Sequence, residues 1–152
     1  MLKKILLITF LLNFLSHCDY KPIYSKQNNI NYKISINSFT GDKDINNAVA
    51  ANLQHKSKNQ FKDIINISYD TKYTKIILAK NTAGTITDYQ INVVTTFSIQ
   101  KEKISESFIV NEKFNFQKMT DKYEEKNYER NIKRNIADSI SQKLVLRLAV
   151  ME

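Results

Sequence analysis

The sequence predicts an α+β fold: a two-layer sandwich in the order β-α-β-β-β-α, with two helices on one face of a four-stranded, mainly antiparallel sheet. Three observations carry this. Apolar and polar residues alternate with period two in several separate segments, as half-buried strands require. Two other segments carry apolar stripes at helical spacing. The link Lys101-Glu102-Lys103 is too short for anything but an antiparallel return between the strands on either side of it.

The elements follow in order. Tyr32 to Asn37 alternates and reads as a first strand, closed by Gly41-Asp42. Asp42 or Thr40 can cap a helix, because either side-chain oxygen accepts a free backbone N–H. Ile45, Ala48, Val49 and Leu53 then form one stripe, predicting a helix over Asp42–Lys58. Ile65, Ile67 and Tyr69 alternate again and Ile76-Ile77-Leu78 follows, giving one long or interrupted strand over Ile64–Ala79. Asn81 to Gly84 is a turn in which Gly84 can take positive φ. The next strand has Tyr89, Ile91, Val93, Phe97 and Ile99 on one face, and Asp88, Gln90, Asn92, Thr96, Ser98 and Gln100 on the other. Phe108, Val110, Phe114 and Phe116 line a last strand, interrupted on that face only by Glu112. Tyr128, Ile132, Ile136, Ile140 and Leu144, with Ala137 and Leu148, mark a long final helix whose four-residue spacing drifts slowly around a 3.6-residue repeat. The second sheet face is polar except for Val94 and Ile109, so it meets water or a partner.

Upstream of the domain, Lys3 and Lys4 precede an apolar run from Ile5 to Leu15. Eleven helical residues reach about 16 Å, half of a roughly 30 Å bilayer core, which argues for a secretory signal over 1–17 rather than a span. Cys18 is the single cysteine, so no internal disulfide can form. Leu15-Ser16-His17-Cys18 resembles the bacterial lipobox, in which the Cys sulfur is alkylated by diacylglycerol; His17 stands where Gly, Ala or Ser is usual. Cys18 is therefore the expected lipid-attachment residue. Two or three acyl chains would make membrane residence stable. Residues 18–31 read as a lipidated tether and 32–152 as the domain.

The formal net charge is +8, of which Lys3 and Lys4 leave with the signal. Such an excess attracts phosphates or anionic lipid, and export argues against nucleic acid as the partner. Lysine is also the default surface residue here, so charge alone assigns no ligand. No catalytic set stands out. With Gly41 and Gly84 the only glycines, there is no phosphate loop, and His55 is the sole histidine after the signal. It sits near a helix end, where positive charge suits the dipole. No His/Cys cluster would hold a metal, so none is expected, nor any other cofactor. Asp121, Glu124, Glu125 and Glu129 gather where the last helix starts, a position that favours negative charge without invoking acid–base chemistry. An enzyme is not expected.

Several segments together resemble the LPS-assembly lipoprotein (LptE) family, especially its alphaproteobacterial branch. Cys18-Asp19-Tyr20-Lys21-Pro22-Ile23-Tyr24 is similar to that branch's start, Asn46 to Leu53 to its first helix, and Ala83-Gly84-Thr85 through Ile99 to its central hairpin. Phe114-Asn115-Phe116 and Tyr123-Glu124-Glu125 to Leu144 resemble its last strand and terminal helix. The resemblance implies an outer-membrane lipoprotein on the periplasmic side. It implies three partners: the membrane through the N-terminal lipid, an LptD-like outer-membrane β-barrel whose lumen it plugs and whose assembly it aids, and lipopolysaccharide. Lys72, Lys75 and Lys80, near the central hairpin, are the candidate lipopolysaccharide contacts. Asp19 departs from the outer-membrane pattern, since in enterobacteria that residue type after the Cys favours inner-membrane retention. The alternative is a general envelope lipoprotein adaptor that shares anchor and fold but does not bind lipopolysaccharide.

Overall fold

The computed structural model describes residues 33–57, 63–102 and 104–151; the signal, Cys18 and the tether lie outside them. The elements are β1 (Lys33–Gly41), α1 (Lys43–Lys56), β2 (Ile64–Lys80), β3 (Ile86–Lys101), β4 (Ile104–Gln117) and α2 (Lys122–Val150). The four strands form one sheet in the order β1-β2-β3-β4. β1 runs parallel to β2, as the α1 crossover between them permits, while β2–β3 and β3–β4 are antiparallel. The architecture is the mainly antiparallel β-α-β-β-β-α sandwich that the patterning predicts.

β1 is longer than its alternation suggests, for a local reason. The register steps from Ile36↔Ile67 to Ser38↔Ser68, so one residue is bulged and the faces exchange. Phe39 thereby reaches the helix-covered face and stacks on Tyr69 with ring centroids 5.5 Å apart. Gly41 ends the strand at φ +94, and a Cβ there would lie 2.0 Å from the Thr71 carbonyl oxygen. That oxygen accepts from Asp42 N at 3.0 Å, so backbone meets backbone where the chain leaves the sheet.

Asp42, not Thr40, caps α1: its carboxylate accepts from Ile45 N at 3.0 Å, while the Thr40 hydroxyl donates to Asp70. Ile45, Val49 and Leu53 are fully buried. Burying three such side chains contributes roughly 5–8 kcal/mol against about 1 kcal/mol for the cap, so packing holds α1 and the cap sets where it starts. The helix stops at Lys56 rather than Lys58, and Ser57 Oγ accepts from Ile34 N at 3.0 Å, tying the helix end to β1.

The core lies between the helices and the covered sheet face, where Ile65, Ile67, Ile91, Val93, Phe97 and Ile99 meet Ile132, Ile136, Ile140, Leu144 and Leu148. The buried polar groups are mostly paired. Tyr69 Oη donates to the Asn46 carbonyl at 3.0 Å, and burial pushes that phenol's pKa up to about 12. Thr71 and Thr95, opposed in the β2–β3 register, share a hydroxyl hydrogen bond of 3.0 Å. Two charges share the apolar face of β4: Glu112 accepts from Ser139 Oγ at 2.6 Å and pairs with Lys143 at 2.7 Å, and Glu106, opposite Ile99, accepts from Arg147 Nε at 2.7 Å. Phe108 and Phe114 are only half-buried because β4 is an edge strand.

Candidate functional site

Antiparallel register places residues directly opposite one another on the same face. The face opposite the helices therefore carries Ser68, Asp70, Lys72 and Thr74 from β2, Gln90 through Gln100 in alternation from β3, and Ser105 through Gln117 in alternation from β4. The bulge adds Ser38 and Thr40 from β1. No described element covers this face. Its side chains bond to one another across strands: Ser38 Oγ to Ser68 Oγ at 3.2 Å, Thr40 to Asp70, and Gln90 Nε2 to Asn115 Oδ1 at 2.8 Å. Val94 and Ile109 break the polarity as the patterning predicts, and the β3–β4 register sets them diagonally adjacent. They are 37% and 56% exposed and form one small apolar spot; Ile76, opposite Gln90 and 41% exposed, and Ile64 at the start of β2 add two apolar residues to this face that the patterning does not single out.

At one end the twisted sheet forms a shallow groove lined by Ser38, Thr40, Ser68, Thr96, Ser98, Ser105 and Ser107, with Asp70 at its side. Short hydroxyls and one carboxylate can hydrogen-bond a partner. A nucleophile would need a base beside it, and His55 sits exposed in the last turn of α1. Among the described residues, no three His, Cys, Asp or Glu side chains gather to hold a metal.

The three candidate lysines do not converge. Lys72 lies on the open face and Lys80 at the hairpin end, opposite Ile86. Lys75 is on the covered face, between the Glu125 and Glu129 carboxylates at 2.9 and 3.0 Å. Its ammonium also stands 4.3 Å from the Tyr89 ring centroid and 5.0 Å from that of Phe116. Desolvation lowers its pKa, but the hydrogen bonds and charges of the two glutamates outweigh this and hold it above the ordinary lysine value. For both glutamates burial alone would raise the pKa. Lys75 reverses this, with Met119 N on Glu125 and Tyr73 Oη on Glu129, and both carboxyls lie below the usual range.

The acidic cluster is thus divided by role. Asp121 caps α2, accepting from Tyr123 N at 2.6 Å and Glu124 N at 3.1 Å. Glu125 and Glu129 clamp Lys75. One turn further, Lys133 pairs with Asp42 at 2.8 Å and Asp44 at 3.2 Å, joining α2 to the start of α1. The first buried apolar residue of α2 is Ile132, so its first ten residues are held to the sheet by these polar contacts and by Tyr128 against Phe116. Spacing along the chain carries no sign of this clamp, because Lys75 and Glu129 are 54 residues apart.

The end of the sheet that bears Lys80 collects further exposed lysines. Lys118 N donates to the Thr87 carbonyl at 2.8 Å, and α2 begins just beyond with Lys122 and Lys126. Sequence reading did not group these residues, since strand pairing, not chain proximity, brings residues 80 and 118 to one end. Exposed Asp121 and Glu124 offset part of that charge.

Solved structures share this architecture. Rare lipoprotein B from Shewanella oneidensis aligns with a TM-score of 0.57 at 14% identity, over 78% of this chain and 98% of that one. A minor lipoprotein from Acinetobacter baumannii aligns at 0.54 and 16%, over 78% and 96%. Lipoprotein B from Nitrosomonas europaea aligns at 0.50 and 10%, over 76% and 83%. What they share with this chain is the fold. No protein-family model and no curated protein matches the chain. Among the described residues no helix is long and apolar enough to cross a membrane.

Proposed function

We propose that this chain is a lipid-anchored envelope protein, attached through Cys18, that plugs a large outer-membrane β-barrel and takes part in lipopolysaccharide export. The observation that carries the reading is the asymmetry of the sandwich. One sheet face is sealed by both helices, and the other is open, hydroxyl-rich and nearly neutral, with Asp70 and Asp88 against Lys72 and Lys113. A barrel lumen is polar, and a surface of short neutral hydrogen-bonding groups suits it better than an apolar or strongly charged one. The solved structures that share the fold are lipoproteins, which supports the anchoring half of the reading.

Lipid A carries phosphates, and Lys75 is already held by two carboxylates. The reading therefore moves the anionic headgroup contact to the basic end, with Lys80 retained and Lys118, Lys122 and Lys126 beside it, where charge-assisted hydrogen bonds are open to a ligand. Depletion of the protein separates this reading from a general adaptor. A plug predicts loss of surface lipopolysaccharide together with the barrel; unchanged surface lipopolysaccharide after full depletion sinks it. Charge reversal of Lys80 and Lys118 tests the headgroup contact alone, with weaker binding of purified lipopolysaccharide and unchanged barrel capture as the expected outcome.

A further inference from the structure

The two edges of the sheet are unlike. β1 is nine residues long, bulged after Ile36, and its Ile34 N–H is occupied by Ser57 Oγ. β4 is fourteen residues long and contains no proline. Its register with β3 runs from Ile104↔Lys101 to Gln117↔Asp88 without a shift. No described strand pairs with its outer side. A long, regular edge offers a row of free N–H and C=O groups; β4 lacks the bulge or proline that blunts many edges, and its guarding charges are Lys113 and the inward-facing Glu112, the latter neutralised by Lys143. Beside it, Phe108, Ile109, Val110 and Leu146 line a shallow groove between β4 and α2. Ile104 at 58% and Val150 at 76% exposure extend the apolar surface.

We infer that β4 pairs antiparallel with β4 of a second copy of this chain, about a two-fold axis at Asn111. The sequence of β4 selects both occupant and register. Its charges are Glu106, Glu112 and Lys113. Axes at Glu112 or Lys113 oppose each of those residues to itself, and an axis at Ile109 opposes Glu106 to Glu112 twice. An axis at Asn111 sets no like charges directly opposite, and the two Glu112 residues it leaves on the diagonal are each neutralised by their own Lys143. It places Phe108 across from Phe114 of the second copy, Ile109 from Lys113, and Val110 from Glu112. An axis at Val110 also avoids like charges but sets both phenylalanines against glutamates, losing the aromatic pairs that stabilise cross-strand contacts. A closed barrel wall has no strand edge to offer, whereas a second copy has this one. The inference does not rest on the proposed function: it concerns the chain outside a barrel, because a lumen that encloses the sandwich leaves no room for a second copy beside β4.

The test uses the full chain with Cys18→Ser, so that an introduced thiol is the only one. Sedimentation equilibrium should show a concentration-dependent dimer. Under mild copper-catalysed air oxidation, Asn111→Cys should form a disulfide-linked dimer. Lys113→Cys should not, because the two copies of residue 113 stand roughly 14 Å apart along the strands. Ile109→Lys sets like charges face to face twice and should weaken the dimer by roughly fivefold, and Ile109→Glu should tighten it by a similar factor. Ile109 is on the open face, so both variants should keep the wild-type circular dichroism. A monomer at every concentration overturns the proposal. So does a dimer indifferent to both Ile109 substitutions, or one that forms only after deletion of residues 19–31, which would make that upstream segment the occupant of the edge.

Discussion

Lys75→Met is the perturbation that distinguishes a structural lysine from a ligand lysine. The ammonium bonds Glu125 and Glu129, and all three side chains are between 17% and 24% exposed. Methionine keeps most of the apolar stem but leaves two carboxylates without their cation. Orphaning one partner of a fully buried pair costs about 3–5 kcal/mol. Partial exposure lets water recover part of this, so a loss of about 2–3 kcal/mol is expected. For a domain of this size that lowers Tm by roughly 10 °C. Urea unfolding followed by circular dichroism measures it. Amide exchange should show the opening concentrated in residues 122–131, which no buried apolar side chain holds. Restoring neutrality with Glu125→Gln and Glu129→Gln on top of Lys75→Met should recover more than half of the loss. A Lys75→Met protein within 0.5 kcal/mol of wild type, on the ±0.5 kcal/mol scale of ordinary surface changes, would refute the clamp.

Four further outcomes follow from the same structure. Glu125 and Glu129 have lowered carboxyl pKa values, so their stabilisation is present above the ordinary carboxylate value of about 4.3 and is lost as pH falls through the folded values; acid titration of stability should show this slope, and Lys75→Met should flatten it. Gly41→Ala forces a Cβ onto the Thr71 carbonyl at positive φ and should cost about 3 kcal/mol by urea midpoint, whereas Gly84→Ala, at φ +78 with open space, should cost about 1 kcal/mol. Thr71→Val orphans the Thr95 hydroxyl and should destabilise by about 1–3 kcal/mol, while the Thr71→Val/Thr95→Val pair should be closer to wild type in a double-mutant cycle. Mass spectrometry of the mature N-terminal peptide should find Cys18 acylated, and a free thiol there would remove the anchor.

The elements were legible wherever one periodicity ran unbroken. β3 alternates over its whole length, and both its faces and the exceptional Val94 are where alternation puts them. β1 was cut short because its bulge shifts the period by one, and nothing in Phe39-Thr40 reveals which face they take. The pairing of β1 was open, since alternation does not choose a neighbour; the α1 crossover made the parallel pairing with β2 available. The open face was readable as polar, but not as self-bonded across strands. Spacing does not separate Lys75 from Lys72 and Lys80, because its carboxylate partners come from α2, dozens of residues away, and only tertiary packing brings them together. Lys118, Lys122 and Lys126 lie close along the chain, but only strand pairing brings them to the sheet end that bears Lys80.

The central claim is that the open polar face of an anchored sandwich seats it in a barrel. Purification of the tagged native lipoprotein from its own envelope, with identification and quantification of what remains bound, tests this most directly. The account predicts one large outer-membrane β-barrel in stoichiometric amount, lost when Ser98→Arg places a charge in the hydroxyl-lined groove of the open face. Recovery of the lipoprotein without any such barrel would contradict it.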